Sequence, residues 1–388
     1  MRTEGDLIKI NRWLLPLSWL YGVAVSLRNE LFALGILKER SFSIPVISVG
    51  NITVGGSGNT PHVEYLIRLL QDYIKVGVLS RGYKRKSHGY VLADDNSTMR
   101  DLGDEPYQIK QKFHDIYVAV DKNRCNGITR LTHDKATSSV GVILLDDAFQ
   151  HRYVKPGLNI LLVDYHRLII YDRLLPAGRL REPLNGKQRA DIVIITKCPR
   201  DLKPMEFRIL TKAMDLFPYQ QLFFTTIDYG TPQALFSDKT TSLNKYNVLL
   251  VTGIASPEQM ENDMKHKCRS LTSLAFEDHH LFNTKDEQRI NNAFERLPSP
   301  KIIVTTEKDS TRLVNLNGLT TEVRDAIFVL PIKVKFMLNQ GELFNNKIIS
   351  YVRKNSRNSN MVKRKNDNAS RNSHHSGNRT GTISFRNN

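Results

Sequence analysis

Glycine, serine and threonine are concentrated in one short stretch of the chain, residues 48–61, which reads SVGNITVGGSGNTP. An apolar run precedes this stretch and an amphipathic run follows it, so the pattern predicts a strand, a glycine-rich turn and the start of a helix. Gly55, Gly56 and Gly58 allow backbone N–H groups to converge on an anion, and the Thr60 hydroxyl opens the helix within reach of a magnesium ion. The chemistry predicted here is the binding of a phosphate group.

This stretch lacks the lysine of the usual phosphate-binding pattern, G-x-x-x-x-G-K-[ST]. When the pattern is laid on residues 53–60, Thr53 takes the place of the first glycine and Asn59 takes the place of the lysine. A glycine-rich turn that binds no ligand explains the pattern equally well at this point. The polar residues elsewhere in the chain decide between the two interpretations.

Two adjacent acids, Asp146 and Asp147, directly follow a continuous apolar run at residues 140–145 (VGVILL). Such a run predicts a strand of a parallel sheet that is buried on both faces. Carboxylates at the end of a buried strand are what a magnesium site opposite a phosphate loop requires. The pair therefore favours the phosphate-binding interpretation of the glycine-rich stretch.

A basic cluster follows another apolar run, residues 76–79. It contains Arg81, Lys84, Arg85 and Lys86. Open α/β sheets bind their ligands at the carboxyl ends of strands, so we interpret the cluster as facing a ligand. The alternative is a solvated hairpin, because runs of charge usually face water.

Strands alternate with helices along the folded part of the chain, which predicts a doubly wound α/β architecture rather than a β sandwich. A second set of strands and helices begins at residue 248, and residues 228–245 before it are rich in Gly, Pro, Ser and Thr. The predicted organisation has four parts: an apolar N-terminal helix at 1–40, a main domain at 41–235, a smaller α/β domain at 236–350, and a basic disordered tail at 351–388.

The net charge of +17 suits a phosphate-rich substrate, a nucleic acid or an anionic membrane. Residues 351–388 hold nine Lys or Arg and one Asp, but Phe385 is the only aromatic residue after Tyr351, so we expect no nucleic-acid partner. The three cysteines are widely spaced and form no metal-binding pattern. Such cysteine usage fits a reducing compartment.

The N-terminal part contains an apolar stretch of 15 residues, 13–27 (WLLPLSWLYGVAVSL), flanked by Lys9, Arg12 and Arg28. A helix needs about 20 apolar residues to span a bilayer, so this stretch is too short. Tryptophan and tyrosine among aliphatic residues, with basic flanks, predict a helix that lies in a membrane interface. The alternative is a core helix that packs on the domain.

Nine motifs in order resemble the tetraacyldisaccharide 4'-kinase family, the lipid A 4'-kinases of Gram-negative bacteria. They are SVGNITVGGSGNTP, SRGY, GDEP, DDAFQHR, PAGRLREP, ITKCP, TGIASP, DHHLF and TTEKD. The resemblance implies a P-loop-type doubly wound sheet with a second, smaller α/β domain and an N-terminal membrane-interface helix. It implies ATP and Mg²⁺ as cofactors and transfer of the ATP γ-phosphoryl to the 4'-hydroxyl of a tetraacylated glucosamine disaccharide 1-phosphate. The implied location is the cytoplasmic face of the inner membrane, and we expect a monomer.

The resemblance also implies roles for residues. Asp104 resembles the general base, and His279 resembles its partner, with His280 as the fallback. The implied nucleotide-binding residues are Thr53, Val54, Gly55, Gly56, Ser57, Gly58, Asn59 and Thr60. The implied magnesium ligands are Thr60, Glu105, Asp146 and Asp147. The implied substrate contacts are Arg81, Tyr83, Gln150, His151, Arg181 and Glu182.

Asn59 departs from this family, which carries lysine at that position. Loss of a phosphate-clamping cation would cost about 2–4 kcal/mol of transition-state stabilisation, by analogy with the removal of an oxyanion donor. Three interpretations follow: a slow but working kinase, a kinase in which Lys84 or Arg85 supplies the cation, and a nucleotide-binding protein with weak or no turnover. We favour a working kinase because the other chemistry-bearing residues are present.

Overall fold

The computed structural model describes residues 8, 10–254, 257–278, 280 and 282–356. Two β-sheets dominate this part of the chain, one of nine strands and one of five. Helices connect the strands in both, so the predicted mixed α/β class is confirmed.

The larger sheet has the strand order β14-β8-β7-β6-β1-β5-β2-β4-β3. The strands are β1 Val46–Gly50, β2 Val76–Ser80, β3 Val91–Leu92, β4 Tyr117–Val120, β5 Val142–Asp146, β6 Leu158–Asp164, β7 Ile192–Thr196, β8 Gln221–Tyr229 and β14 Ile332–Phe336. All neighbours pair in parallel except the two edge strands β3 and β14, which are antiparallel to theirs. Strand β1 pairs with β5 on one side and with β6 on the other. Strands β2 to β5 lie on the first side and β6 to β8 on the second, so the strand order reverses at β1. Ligands of such sheets bind outside the carboxyl ends of the strands at this reversal.

Both faces of the larger sheet are covered, which explains why its strands read as continuous apolar runs. Along β5, Leu144 packs into the core on one face and Ile143 into the core on the other. The first core also receives the helices α2 Asn59–Leu70, α4 Asp104–Lys112 and α11 Gly341–Asn355. The second core receives α5 Arg124–His133. The short helix α3 Met99–Leu102 precedes α4, and α6 Pro204–Met214 packs beside β7 and β8.

The smaller sheet has the order β11-β10-β12-β13-β9 and two cores of its own. Its strands are β9 Gln233–Ala234, β10 Asn247–Thr252, β11 Ser270–Ala275, β12 Lys301–Thr306 and β13 Ile327–Leu330. Its helices are α7 Glu258–Lys265, α8 Thr284–Glu295, α9 Glu307–Leu313 and α10 Thr321–Asp325. The predicted second set of strands and helices is therefore present; the division at residue 235 stays a prediction.

The segment after β13 returns to the larger sheet, although we assigned it to the smaller domain. Strand β14 pairs with β8, and Phe344, Ile348 and Val352 of α11 lie in the core beneath β1. The Tyr351 hydroxyl donates to the carbonyl of Val46 at 3.1 Å. Helix α11 runs to Asn355, so the predicted start of the tail at residue 351 is too early. Residues 357–388 lie outside the described part.

A charged network joins the two sheets. The Lys112 ammonium of α4 lies 2.7 Å from the Glu64 carboxylate of α2 and 2.5 Å from the Glu307 carboxylate of α9. Burial raises the pKa of Glu64, and the Lys112 charge opposes this rise. This network holds α4 between α2 and helix α9 of the smaller sheet. Asp104 lies at the start of the same helix, α4.

The N-terminal helix, α1 Leu15–Ala33, presents large apolar side chains to solvent. Trp13, just before it, is 93% exposed, and Trp19, Leu20 and Leu27 within it are 58–69% exposed. In the described part of the chain, no helix is both long and apolar enough to cross a membrane. Helix α1 also packs on the domain through Ser18, Gly22 and Phe32, which are buried, so its position in a membrane interface stays a prediction.

Candidate active site

The glycine-rich stretch forms the predicted turn between β1 and α2. Gly58 caps the helix with φ +88°, and Gly55 has φ +116°, conformations that glycine adopts without a Cβ clash. The helix begins at Asn59, so Thr60 lies in its first turn. Residues 53–60 therefore combine a left-handed glycine with a helix N-terminus, the arrangement that directs N–H groups at an anion.

The PAGRLREP segment forms a wall beside this loop. Thr53 forms an isolated antiparallel bridge with Leu180, and the Val54 N–H donates to the Arg179 carbonyl at 2.7 Å. The Arg181 N–H donates to the Ile52 carbonyl at 2.8 Å. These backbone contacts place the arginines of PAGRLREP next to the loop.

Asp146 ends β5 and is completely buried. Burial, followed by the like charges of Glu105 and Asp147, raises the pKa of Asp146 well above its ordinary value, and the charge of Arg124 and the Ser80 hydroxyl oppose this rise. A buried carboxylate among like charges fits a site for a divalent cation, which would supply the opposite charge.

Asn59 contacts the second acid. Its side-chain N–H donates to the Asp147 carboxylate at 3.0 Å, and its carbonyl accepts from the Ser57 hydroxyl at 3.2 Å. The Arg181 guanidinium lies 3.4 Å from the other carboxylate oxygen of Asp147. The position that we expected to carry a lysine therefore links the glycine-rich loop to the predicted magnesium ligand.

Arg85, one of the two proposed substitutes for that lysine, is engaged elsewhere. Its guanidinium donates to the carbonyls of Gly89 at 2.5 Å and Val120 at 3.4 Å. These contacts hold Arg85 against the connection after β2, and its substitution for the lysine stays a hypothesis. The ammonium of Lys84 lies 5.8 Å from the centre of the Tyr83 ring, and its substitution for the lysine stays a hypothesis.

Gln150 and His151 follow the acids in the DDAFQHR turn. The Gln150 amide donates to the Asn51 carbonyl, and its oxygen lies 3.3 Å from the Arg181 guanidinium. Burial and the charges of Arg124 and neighbouring arginines lower the pKa of His151 to about 4. His151 is therefore neutral at pH 7 and accepts from the Arg124 N–H at 3.3 Å.

The SRGY loop packs against the GDEP turn. Gly103 has φ +90°, and a Cβ there would lie 2.7 Å from the Tyr83 carbonyl oxygen, so only glycine fits this approach. Tyr83 itself is 59% exposed, and Arg81 is also exposed. The packing brings the predicted substrate-binding loop beside the start of α4, which carries Asp104.

The Asp104 carboxylate accepts a hydrogen bond from the guanidinium of Arg312, a buried residue of α9. The same guanidinium reaches the Asp309 carboxylate at 3.4 Å, and Asp309 in turn accepts from the Gly253 N–H at 2.9 Å. Arg312 thus anchors the predicted general base to the smaller sheet.

His279, the predicted partner of Asp104, lies outside the described residues. The fallback, His280, lies 2.7 Å from the Asp286 carboxylate through Nε2, and this pairing lowers the pKa of Asp286 against the effect of its burial. His280 therefore contacts an acid of α8, and its role as fallback partner stays a prediction.

Residues 10–352 match the family model LpxK, tetraacyldisaccharide-1-P 4'-kinase. The chain belongs to this family. A tetraacyldisaccharide 4'-kinase of Phocaeicola vulgatus is 58% identical over 364 residues, which cover 92% of this chain and 100% of that protein. The tetraacyldisaccharide 4'-kinase of Porphyromonas gingivalis is 44% identical over 89% of this chain and 99% of its own length.

A solved relative supports the fold of the tetraacyldisaccharide 4'-kinase family. The crystal structure of LpxK from Aquifex aeolicus in complex with ATP superposes with a TM-score of 0.66. It is 31% identical and covers 87% of this chain and 98% of that chain. The resemblance inferred from the nine motifs is confirmed.

The residues of this kinase chain fit ATP and Mg²⁺. In the described part, no three acidic, histidine or cysteine side chains converge closely enough to hold a metal by themselves. Mg²⁺ in phosphoryl-transfer sites is bound by one or two carboxylates together with phosphate oxygens, so this finding agrees with a shared site. Thr60, Glu105, Asp146 and Asp147 stay the predicted magnesium ligands, and the charge of Glu105 acts on Asp146.

Glu182 occupies a different environment from the one we expected for a substrate contact. It is 1% exposed, and its carboxylate pairs with the Arg189 guanidinium at 2.7 Å. Its other oxygen is buried without a partner in the described part. Glu182 contributes an ion pair beside the loop, and its contact with substrate stays a prediction.

Arg124 was missed by the sequence analysis. It opens α5 after strand β4 and is 3% exposed, and its Nε lies buried without a hydrogen-bond partner among the described residues. Burial lowers its pKa to about 10, while the charges of Asp146 and Asp147 oppose the shift. Ligands of open α/β sheets bind at the carboxyl ends of strands, and residues 121–124 directly follow β4. The position of Arg124 after this strand could therefore have identified it from the sequence.

Proposed function

We propose that this chain transfers the γ-phosphoryl group of ATP to the 4'-hydroxyl of a tetraacylated glucosamine disaccharide 1-phosphate. Membership of the tetraacyldisaccharide 4'-kinase family supports the reaction. The observation that carries it here is the glycine-rich loop after β1 together with the buried acid that ends the adjacent strand, β5. Phosphoryl transfer depends on positioning and on neutralisation of charge, and this edge of the sheet offers both.

In this proposal, different residues bind the nucleotide, hold the metal ion and accept the proton. The N–H groups of residues 55–60 hold the ATP phosphates, and Asp146, Asp147 and Thr60 hold Mg²⁺, which neutralises phosphate charge when bound. Asp104 accepts the proton of the sugar hydroxyl, and Arg312 orients it. Arg124 supplies positive charge from the interior beside the two acids.

The acceptor's acyl chains point to a membrane surface. Helix α1 contacts the site through two residues: the Tyr21 hydroxyl donates to the Arg181 carbonyl at 2.8 Å, and Arg28 donates to the Gln150 carbonyl at 3.1 Å. Its exposed apolar row lies on the same helix. We propose that α1 lies in the interface of the inner membrane on its cytoplasmic face, so that a lipid headgroup meets the site.

A phosphoryl-transfer assay tests the reaction. The full chain is incubated with γ-labelled ATP, Mg²⁺ and detergent-solubilised tetraacyldisaccharide 1-phosphate, and labelled lipid is measured. We expect label in the lipid and ATP consumption that depends on the acceptor. ATP binding without lipid labelling would instead support the binding protein with weak turnover that Asn59 suggested, and ATP consumption independent of acceptor would contradict a lipid substrate.

If α1 lies in a membrane interface, the exposed tryptophans Trp13 and Trp19 should contribute to membrane binding. Replacing Trp13 and Trp19 together by serine should lower partitioning onto vesicles of anionic phospholipid by at least about tenfold, because each indole loses apolar burial in the interface. Flotation in a density gradient measures the bound fraction. The control is serine at Met205 and Tyr219, which are 60% and 56% exposed elsewhere on the surface. Equal binding of the tryptophan variant and wild type would move the membrane contact away from α1.

A further inference from the structure

The carbonyl groups of the glycine-rich loop need partners of their own. When a loop turns its N–H groups inward to an anion, its carbonyls point outward, where neighbouring side chains can donate hydrogen bonds to them. Here four consecutive carbonyls each meet a side-chain donor from outside the loop. The pairs are Asn51 Nδ2 with Gly55 at 3.4 Å, Lys197 Nζ with Gly56 at 2.5 Å, Thr196 Oγ1 with Ser57 at 2.8 Å, and His62 Nδ1 with Gly58 at 2.7 Å.

The four donors, which we call the carbonyl clamp, stand on rigid elements. Asn51 follows β1, Thr196 ends β7, Lys197 comes next, and His62 lies in the first turn of α2. Thr196 and Asn51 are both at least 99% buried. The clamp therefore ties the loop carbonyls to the ends of two strands and to the first turn of a helix.

His62 can act as a donor because of its surroundings. Its Nε2 lies 3.1 Å from the Thr225 hydroxyl of β8, and the Gly58 carbonyl opposite Nδ1 can only accept. The neutral tautomer with the proton on Nδ1 satisfies both contacts. Burial lowers the pKa of His62 to about 4, so this neutral form is present at pH 7.

Lys197 is the charged member of the clamp. Its backbone has φ +57°, a left-handed conformation that costs a non-glycine residue energy and persists where the surroundings require it. Its ammonium also contacts the Asp164 carboxylate at 2.7 Å, so it is held between β6 and the loop. A hydrogen bond from an ammonium is about twice as strong as one from a neutral donor.

We propose that Lys197 is a positioning residue for ATP: it holds the Gly56 carbonyl outward so that the loop's N–H groups face the phosphates. This inference rests on the proposed kinase function and assigns a role to the ITKCP motif, which had none. A loop that carries Asn59 instead of lysine depends on its backbone N–H groups for phosphate binding. Lys197 acts through the loop, because its ammonium is already bound by Gly56 and Asp164.

Replacement of Lys197 by methionine in the full chain tests the proposal. We expect the Kd of ATP, measured by calorimetry with Mg²⁺, to rise about tenfold, with a matching rise in KM for ATP and a smaller fall in kcat. Lys197→Arg should recover most of the affinity. These binding measurements need no lipid acceptor, so they remain informative even if phosphoryl transfer to the lipid is not observed.

Lys187 offers a matched control. Its ammonium also donates to backbone carbonyls, those of Met214 at 2.6 Å and Asp215 at 2.8 Å, away from the glycine-rich loop. Lys187→Met should leave the Kd of ATP within about twofold of wild type. Equal weakening by both variants would show a general loss of stability and would overturn the proposal, as would unchanged ATP binding by Lys197→Met.

Two further variants keep the proposal falsifiable. If Lys197→Met does not fold, Thr196→Val removes the neighbouring clamp hydroxyl at nearly constant shape, and it should raise the Kd of ATP about threefold; unchanged binding would overturn the clamp. The double variant Lys197→Met, Asn59→Lys distinguishes two roles of Lys197: positioning of the loop, and neutralisation of phosphate charge by its ammonium. The reference for this comparison is Asn59→Lys alone, because the new lysine adds a phosphate contact of its own. If Lys197→Met weakens ATP binding about tenfold in the Asn59→Lys background as well, the two residues act independently and the positioning role is supported; no weakening in that background would show that Lys197 serves as a phosphate cation and would overturn the positioning role.

Discussion

Replacing Asp104 by asparagine should lower kcat by about 10²–10⁴-fold, the usual contribution of a general base. Asparagine keeps the shape of the side chain and an oxygen that accepts from Arg312, but it cannot take up the proton of the sugar hydroxyl. The Kd of ATP should stay within about threefold of wild type, because the glycine-rich loop is untouched. Lipid labelling at saturating ATP measures kcat, and calorimetry measures ATP binding.

Asp101→Asn is the matched control for this substitution. Asp101 lies three residues earlier and caps α3 through the Thr98 N–H at 2.9 Å, so its loss disturbs the same region without removing the proposed base. We expect a change in kcat of less than about threefold. Unchanged turnover in Asp104→Asn would remove Asp104 as the base, and an equal loss in both variants would assign it a structural role.

The contact between Asp104 and Arg312 gives the smaller sheet a part in the proposed reaction. Arg312 belongs to α9, next to β12, and its side chain is only 3% exposed. A second link, Lys112 with Glu307, joins the same two helices. Arg312 is buried, so separation of α4 from α9 would leave its charge uncompensated in the interior, while the partly exposed Lys112–Glu307 pair contributes less. The position of Asp104, the proposed base, therefore depends on both sheets.

The sequence predicted the parallel strands well because their burial on both faces leaves a strong local signal. The apolar runs at residues 76–79 and 140–145 overlap β2 Val76–Ser80 and β5 Val142–Asp146. Strand β14 was not separated from the smaller domain, because its alternating sequence, IKVKF, is that of an edge strand and does not show which sheet it joins. Its pairing with β8 brings together residues about a hundred positions apart, which local periodicity cannot predict.

The same limit applies to the site. The acids and the glycine-rich loop were found because each directly follows a strongly apolar run. Lys197 was missed as a loop contact since its nearness to Gly56 depends on the order β7-β6-β1, which joins segments more than a hundred residues apart. Arg312 was missed for a similar reason, because it reaches Asp104 from the other sheet. Motifs thus identified the edge of the sheet, while the contacts across it required the fold.

Asn59→Lys should raise kcat by about 10–100-fold. A lysine at the start of α2 would bring a positive charge to the β- and γ-phosphates, and such a contact is worth about 2–4 kcal/mol by analogy with an oxyanion donor. Asp147, which Asn59 contacts at 3.0 Å, would pair with the new ammonium and consume part of this gain, so we expect less than the full effect. The rate is measured by lipid labelling at saturating ATP and acceptor.

Asn59→Met separates charge from length in this experiment. Methionine resembles lysine in reach but carries no charge, and it removes the hydrogen bond to Asp147. We expect it to lower kcat or leave it unchanged, because nothing replaces the amide donor. A rise in both variants would show that the amide's contact with Asp147 restrains the enzyme. A fall or no change in Asn59→Lys would show that the surrounding cations, Arg124 and Arg181 among them, already neutralise the phosphates, and the charge-deficit interpretation of Asn59 would then be wrong.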